Sequence, residues 1–345
     1  MNGSIPKVLA TGIGSLPHQR AEEAVELIFK YLPSLPFWPQ LPSRSFKEGM
    51  IAQFSENIPF LKIGPKRTDF SISEDGMEEF YGQLIADNLD YFRISPEYAA
   101  GLYAFRQKLE SSNLREVFFI KCQITGPFTF AGAIKDGRGM ALLHDKVLMQ
   151  AVTKAMVMKA RWQIDFFKQF GKKIIMFIDE PYLACFGSAY TPINRNEVIT
   201  VLSECASAIK SPDVLVGVHC CGNTDWSIFT EVAEISIISF DAFDYVERLI
   251  LYAEDLKRFS ERGGILCWGI VPAGSFTGWE NKLLLLEKIK QATKALEKKG
   301  LDRELLVKNF FISPACGLGT LTSQKAEQIF ILLSETVALI NSELQ

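Results

Sequence analysis

No apolar run in this chain approaches the ~20 residues a membrane-crossing helix needs, and no block of like charges stands out from its formal net charge of −3. Neither a nucleic acid nor an anionic membrane surface is therefore an expected partner. The opening residues, Met1 to Gly12, lack the charged and apolar regions of a secretory signal, so a cytoplasmic protein is expected. The seven cysteines are odd in number and irregularly spaced, which argues for thiols or metal ligands over a disulfide framework. Nor does a complete GxGxxG turn follow the first apolar segment: Thr11-Gly-Ile-Gly-Ser15 supplies only its GxG part. This disfavours a dinucleotide-binding open sheet.

What is present is a rhythm. Short, β-rich apolar runs lie at 8–12, 117–125, 174–179, 214–221, 235–241, 265–271 and 310–313. Most are hydrophobic throughout, as strands buried on both faces are. Amphipathic stretches of helical length separate them at 20–32, 140–170, 194–210, 246–262, 282–299 and 323–341. Alternation of this kind predicts a parallel sheet covered by helices. With an eighth strand expected within 58–73, the pattern predicts a single α/β domain, a (β/α)8 TIM barrel. The surplus length falls between residues 33 and 110 and begins with four prolines in ten residues, Pro33 to Pro42. Proline resists both helix and central strand, so an ordered loop with a helical insertion over one barrel end is expected.

In such a barrel, reactive groups collect where strands end. His219 and Cys221 close one predicted strand, Asp241 the next, and Cys316 follows the last. In extended backbone, residues two apart point to the same side. His219 and Cys221 are thus presented together, while Cys220 faces the barrel wall. Imidazole and thiolate suit Zn²⁺, with Asp241 as the candidate fourth ligand. Of the other cysteines, Cys122, Cys185, Cys205 and Cys267 sit among apolar neighbours and are expected in the core. Asp179 and Glu180 end another strand and suit a substrate ammonium, or alternatively a helix cap. His18 is a candidate for protonating a donor, His144 has the setting of a structural residue, and Trp38 and Trp268 line either a cofactor or the core.

Five segments, in order, resemble the catalytic barrel of cobalamin-independent methionine synthase. They are Gly12-Ile-Gly-Ser-Leu-Pro17, Ile124-Thr-Gly-Pro-Phe-Thr129, Ile178-Asp-Glu-Pro181, His219-Cys-Cys221 and Ser313-Pro-Ala-Cys-Gly-Leu318. The wider group includes the uroporphyrinogen decarboxylases and the corrinoid-dependent thiol methyltransferases. The resemblance implies zinc held by His219, Cys221 and Cys316, with Asp241 where the synthase has a glutamate. It implies that Asp179, and by a looser match Glu79, contact the amino group of homocysteine, and that Ser15 lies near the amino acid's carboxylate. The long synthase resembles two barrels in tandem, and this chain has length for one. Cys221-Gly-Asn-Thr224 is closer to the corrinoid-dependent enzymes, so a methyl-corrinoid protein and methyltetrahydrofolate are both expected donors.

The function implied is zinc-dependent methylation of a thiol, homocysteine first and coenzyme M as the alternative acceptor. A metal-independent decarboxylase acting on a porphyrinogen is a rival on the same fold, and it requires a basic cleft. A non-catalytic binding partner of a corrinoid protein is a second rival.

Overall fold

The computed structural model describes residues 8–63, 68–70, 73–136, 138–188, 193–308 and 310–343. Its strands are β1 (Val8–Ala10), β2 (Leu61–Ile63), β3 (Thr68–Phe70), β4 (Phe119–Thr125), β5 (Lys173–Asp179), β6 (Val214–Cys220), β7 (Ile235–Asp241), β8 (Ile265–Val271) and β9 (Phe310–Pro314). Seven of them form one sheet in the order β1-β9-β8-β7-β6-β5-β4, and every pairing is parallel. Each apolar run named from the sequence is one of these strands, within two residues at either end.

The sheet is seven-stranded, not a closed eight-stranded barrel, and β1 and β4 are its edges. The segment expected to hold an eighth strand instead forms an antiparallel hairpin of β2 and β3, apart from the main sheet. Between the two edges runs the proline-rich segment. Lys121 N–H donates to the Pro36 carbonyl at 2.9 Å and Phe118 N–H to that of Ser34 at 3.0 Å. On the other side, Gln40 N–H donates to Gly14 O at 3.0 Å and Leu16 N–H to Gln40 O at 2.9 Å. Among the described residues, single parallel bridges, Phe37 to Lys121 and Ser15 to Gln40, are all the strand pairing it achieves. Proline has a carbonyl but no N–H, so prolines within the segment accept bonds without completing a ladder.

The sheet's inner face is packed by Leu9, Leu35, Ile175, Phe177, Ile237, Cys267 and Phe311. Leu35 comes from the proline-rich segment, which thus contributes to the interior as a strand would. Gly217 belongs to the same layer, since a Cβ there would lie 2.8–3.0 Å from the Phe177 ring. The larger core lies between the sheet and the helices around it. Two of the longest start where side chains cap them: Asp145 accepts from the Val147 and Leu148 N–H groups, and Asn281 from those of Leu283 and Leu284.

The insertion is helical as expected, with helices at Glu74–Ile85 and Ala100–Ser111. Its 3₁₀ turn, Phe46–Glu48, and the residues after it lie over the strand ends, where the Thr125 hydroxyl donates to Met50 O at 2.6 Å. The stretch expected as one helix at 246–262 is broken: helical turns at Val246–Leu249 and Ala253–Glu261 flank a 3₁₀ turn.

Candidate active site

Side chains alternate along a strand. Ile175 and Phe177 point inward, so Asp179 follows them two residues on. Cys221 bears the same relation to His219. In the β5–β6 register Asp179 pairs with His219, and in β6–β7 His219 pairs with Ser239. Asp179, His219 and Cys221 thus open onto one cavity of about 300 Å³. Cys316 enters it from the loop after β9, and Ser15 from the loop after β1. Those two loops are tied together: Leu318 N–H donates to Ser15 O at 2.9 Å and Gly319 N–H to Ser15 Oγ at 3.2 Å.

His219 is buried, and its Nδ1 stands 2.9 Å from Ser239 Oγ. Among the described residues, its Nε2 finds no hydrogen-bond partner, nor does Asp179 Oδ1. Buried polar atoms are rarely left without partners, so these two mark a place built for something else. Cys221, Cys316 and the imidazole of His219 all line this cavity. The Cys316 thiol is held well below its usual range by the Cys221 hydrogen bond first and by His219 second. Among the described residues, no three His, Cys, Asp or Glu side chains already stand in metal-binding array. One nitrogen and two sulfur donors nevertheless border this cavity, the donor chemistry zinc prefers.

Other residues named from the sequence lie elsewhere. Glu180 turns away from the cavity and is fully buried. It accepts from Phe128 N–H (2.9 Å), Thr129 N–H (2.8 Å) and Thr129 Oγ1 (2.7 Å), capping the short helix Pro127–Ala133. The helix-cap alternative describes it, and a catalytic role does not. Burial pushes its carboxyl up to about 7 against these hydrogen bonds. Asp241 is not in the cavity lining; its Oδ1 accepts from the N–H groups of Phe243 and Asp244, both at 2.9 Å, in a turn after β7. Glu79 is exposed on its helix and accepts from Tyr91 Oη at 3.0 Å. His18 is buried outside the cavity lining with its Nδ1 unpartnered, and burial lowers its pKa. Trp38 and Trp268 are core residues. Cys185, expected in the core, is exposed in a 3₁₀ turn, whereas Cys122, Cys205 and Cys267 are buried.

Two residues were missed by sequence reasoning. Glu48 lines the cavity and is wholly buried. Arg44 reaches its Oε1 at 2.5 Å while Oε2 has no partner, and burial raises its carboxyl above the usual range. Its sequence neighbourhood is ordinary, and only the path of the insertion brings it over the strand ends. Lys121 is the second, a buried cation that donates to Ile13 O at 2.6 Å and Gln123 Oε1 at 3.3 Å. Its charge lies near Asp179 and counters the effect of burial on that carboxyl, which remains raised.

No family model matches the sequence, and no curated protein matches it either. Among solved structures, the chain is similar to a GH138 enzyme targeting pectin rhamnogalacturonan II, with a TM-score of 0.30 and 10% identity. The match covers 72% of this chain and 36% of that one, so it spans about a third of the neighbour's length. A likeness this slight says nothing about activity.

Proposed function

We propose that this chain is a zinc-dependent S-methyltransferase acting on an amino thiol, homocysteine being the fitting example. In this reading the proline-rich segment 34–40 is the second stave of a (β/α)8 barrel. The observation that carries the proposal is the convergence of His219 Nε2, unbonded and buried, with Cys221 and Cys316 on the lining of one cavity. These three residues would hold the metal. When bound, zinc keeps a coordinated thiol deprotonated, and the thiolate is the nucleophile. Ser239 fixes the ring of His219 through Nδ1, which leaves Nε2 for the metal. Asp241, committed to its turn, is a poor fourth ligand.

The amino-thiol assignment rests on charge. Asp179 and Glu48 each have a buried, unpartnered carboxylate oxygen and both line the cavity. Among the described residues, no lysine or arginine is in its lining. A substrate ammonium would satisfy both oxygens. Coenzyme M, with a sulfonate and no ammonium, fits this wall less well, as does a porphyrinogen bearing many carboxylates. The methyl donor is assigned only as an electrophilic methyl carrier, either a methyl-corrinoid protein or methyltetrahydrofolate.

The test is metal content of reductively purified protein beside Cys221→Ser, followed by methyl transfer to homocysteine from methylcobalamin or methyltetrahydrofolate. About one zinc per wild-type chain, lost in the variant, is expected. Absence of zinc from both after reconstitution would remove the proposal.

A further inference from the structure

Two buried glutamines join the proline-rich segment to the insertion, and their polarity is fixed from one end. Gln53 Nε2 donates to Tyr98 O at 2.6 Å. A backbone carbonyl can only accept, so this end of the Gln53 amide must be its nitrogen and the other end its oxygen. That oxygen accepts from Gln40 Nε2 at 2.7 Å. The Gln40 amide is thereby held with its own oxygen turned away from Gln53. The Gln40 backbone is held on both sides as well, its N–H donating to Gly14 O and its carbonyl accepting from Leu16 N–H. Gln40 Oε1 lies beside Gly14, where a Cβ would stand 2.8 Å from it. Gly14 falls between Ile13 and Ser15, both in the cavity lining, and Gln40 lines that cavity together with Glu48 and Asp179.

We infer that Gln40 is a specificity-determining residue of this cavity, its amide oxygen serving as the third acceptor for a primary ammonium. The inference rests on the amino-ligand part of the function proposed above. Glu48 Oε2 and Asp179 Oδ1 are buried and without partners among the described residues. A primary ammonium carries three N–H donors, and two carboxylate oxygens would leave one of them unpaired where desolvation makes that costly. An amide oxygen takes the third donor without adding a third negative charge. Flipped, the same amide would present its NH2 group and repel a cation. Gln53, outside the cavity lining, prevents the flip and is a positioning residue. Glycine at position 14 leaves the oxygen uncovered, since any side chain there would meet it.

The experiment titrates the full chain by calorimetry with norleucine, N-methylnorleucine and hexanoate. These share an apolar tail and carry no sulfur to place on a metal, so the result is independent of zinc. The wild type is expected to favour norleucine over hexanoate. It should bind N-methylnorleucine about 10-fold more weakly than norleucine, the loss of one charge-assisted hydrogen bond. Gln40→Leu should weaken norleucine binding by about 10-fold for the same reason and leave hexanoate binding unchanged. It should also no longer distinguish norleucine from its N-methyl form, a change that a merely structural role for Gln40 would not produce. Gly14→Ala keeps the amide but sets a methyl against its oxygen, and it should act in the same direction; it carries the test if Gln40→Leu does not fold. Equal binding of norleucine and N-methylnorleucine by the wild type, or full discrimination kept by a folded variant, would overturn the inference while the amino-ligand reading stands. A wild type that does not favour norleucine over hexanoate removes that reading and the inference with it.

Discussion

Asp179 and His219 are cross-strand partners at the ends of β5 and β6, and each has one buried atom, Oδ1 and Nε2, with no hydrogen bond. Two such atoms side by side represent an uncompensated cost of about 1–3 kcal/mol apiece. A ligand bound in the cavity that both residues line would remove that cost.

Replacing a sulfur donor should separate metal from fold. Cys316→Ala is expected to lose zinc and methyl transfer together while its thermal unfolding in the chelated state shifts little, because Cys316 lies on the exposed loop after β9. Asp241→Asn should retain zinc, since its amide oxygen can still accept the two backbone N–H groups of the turn. Metal analysis of both variants checks this, and loss of zinc from Asp241→Asn would return Asp241 to the ligand set.

Charge recognition in the cavity gives a second expectation. Glu48→Gln should weaken homocysteine binding by about 10- to 100-fold, the range for losing a charge-assisted hydrogen bond. A thiol lacking the amino group should bind wild type and variant alike. Titration calorimetry with both thiols is decisive, and equal losses for the two would exclude an ammonium site at Glu48.

Stability should fall as pH rises from about 5 to 8. Burial raises the carboxyl of Glu180 to about 7, and those of Asp179, Glu48 and Asp241 shift in the same direction for the same reason. An acid whose folded pKa exceeds its unfolded value binds more protons in the native state. Its contribution is therefore complete below the unfolded pKa and is lost as pH climbs through the folded one. For Glu180 alone the loss is at most about 3 kcal/mol. Denaturant unfolding across this window should show a shallower decline in Glu180→Gln, which is also less stable at pH 5 because an amide cannot accept from all three donors. An unchanged slope would contradict the assignment to Glu180.

Inside the sheet, Gly217→Ala should destabilise by about 1–3 kcal/mol, the cost of overpacking. The new methyl meets the Phe177 ring at 2.8–3.0 Å, between two paired strands that cannot separate. The double variant Gly217→Ala, Phe177→Leu should recover part of the loss, as chemical denaturation would show.

Much of the sheet was readable in the chain because a doubly buried strand must be apolar throughout, and each such run ends where polar residues begin. Cys221 and His219 were readable for a similar local reason, the two-residue period of a strand. The proline-rich segment forms no strand, as the missing N–H groups of its prolines led us to expect. Its carbonyls still accept from β4, and Leu35 still fills the interior. Glu180 and Asp241 carried the same local signal as Asp179, a carboxylate at a strand end. Only the folded chain shows that backbone N–H groups already occupy oxygens of the first two and leave Asp179 Oδ1 free.

The sequence by itself determined the alternation of strand and helix, and the residues at each strand end, because hydrophobic period and chain direction are local properties. Tertiary structure alone decided that Glu48, and not Glu79, shares a cavity with Asp179, that Cys221 and Cys316 line that same cavity, and that a segment without a full hydrogen-bond ladder lies between the sheet's two edges. Those outcomes depend on how distant segments are brought together in space, which no local pattern encodes.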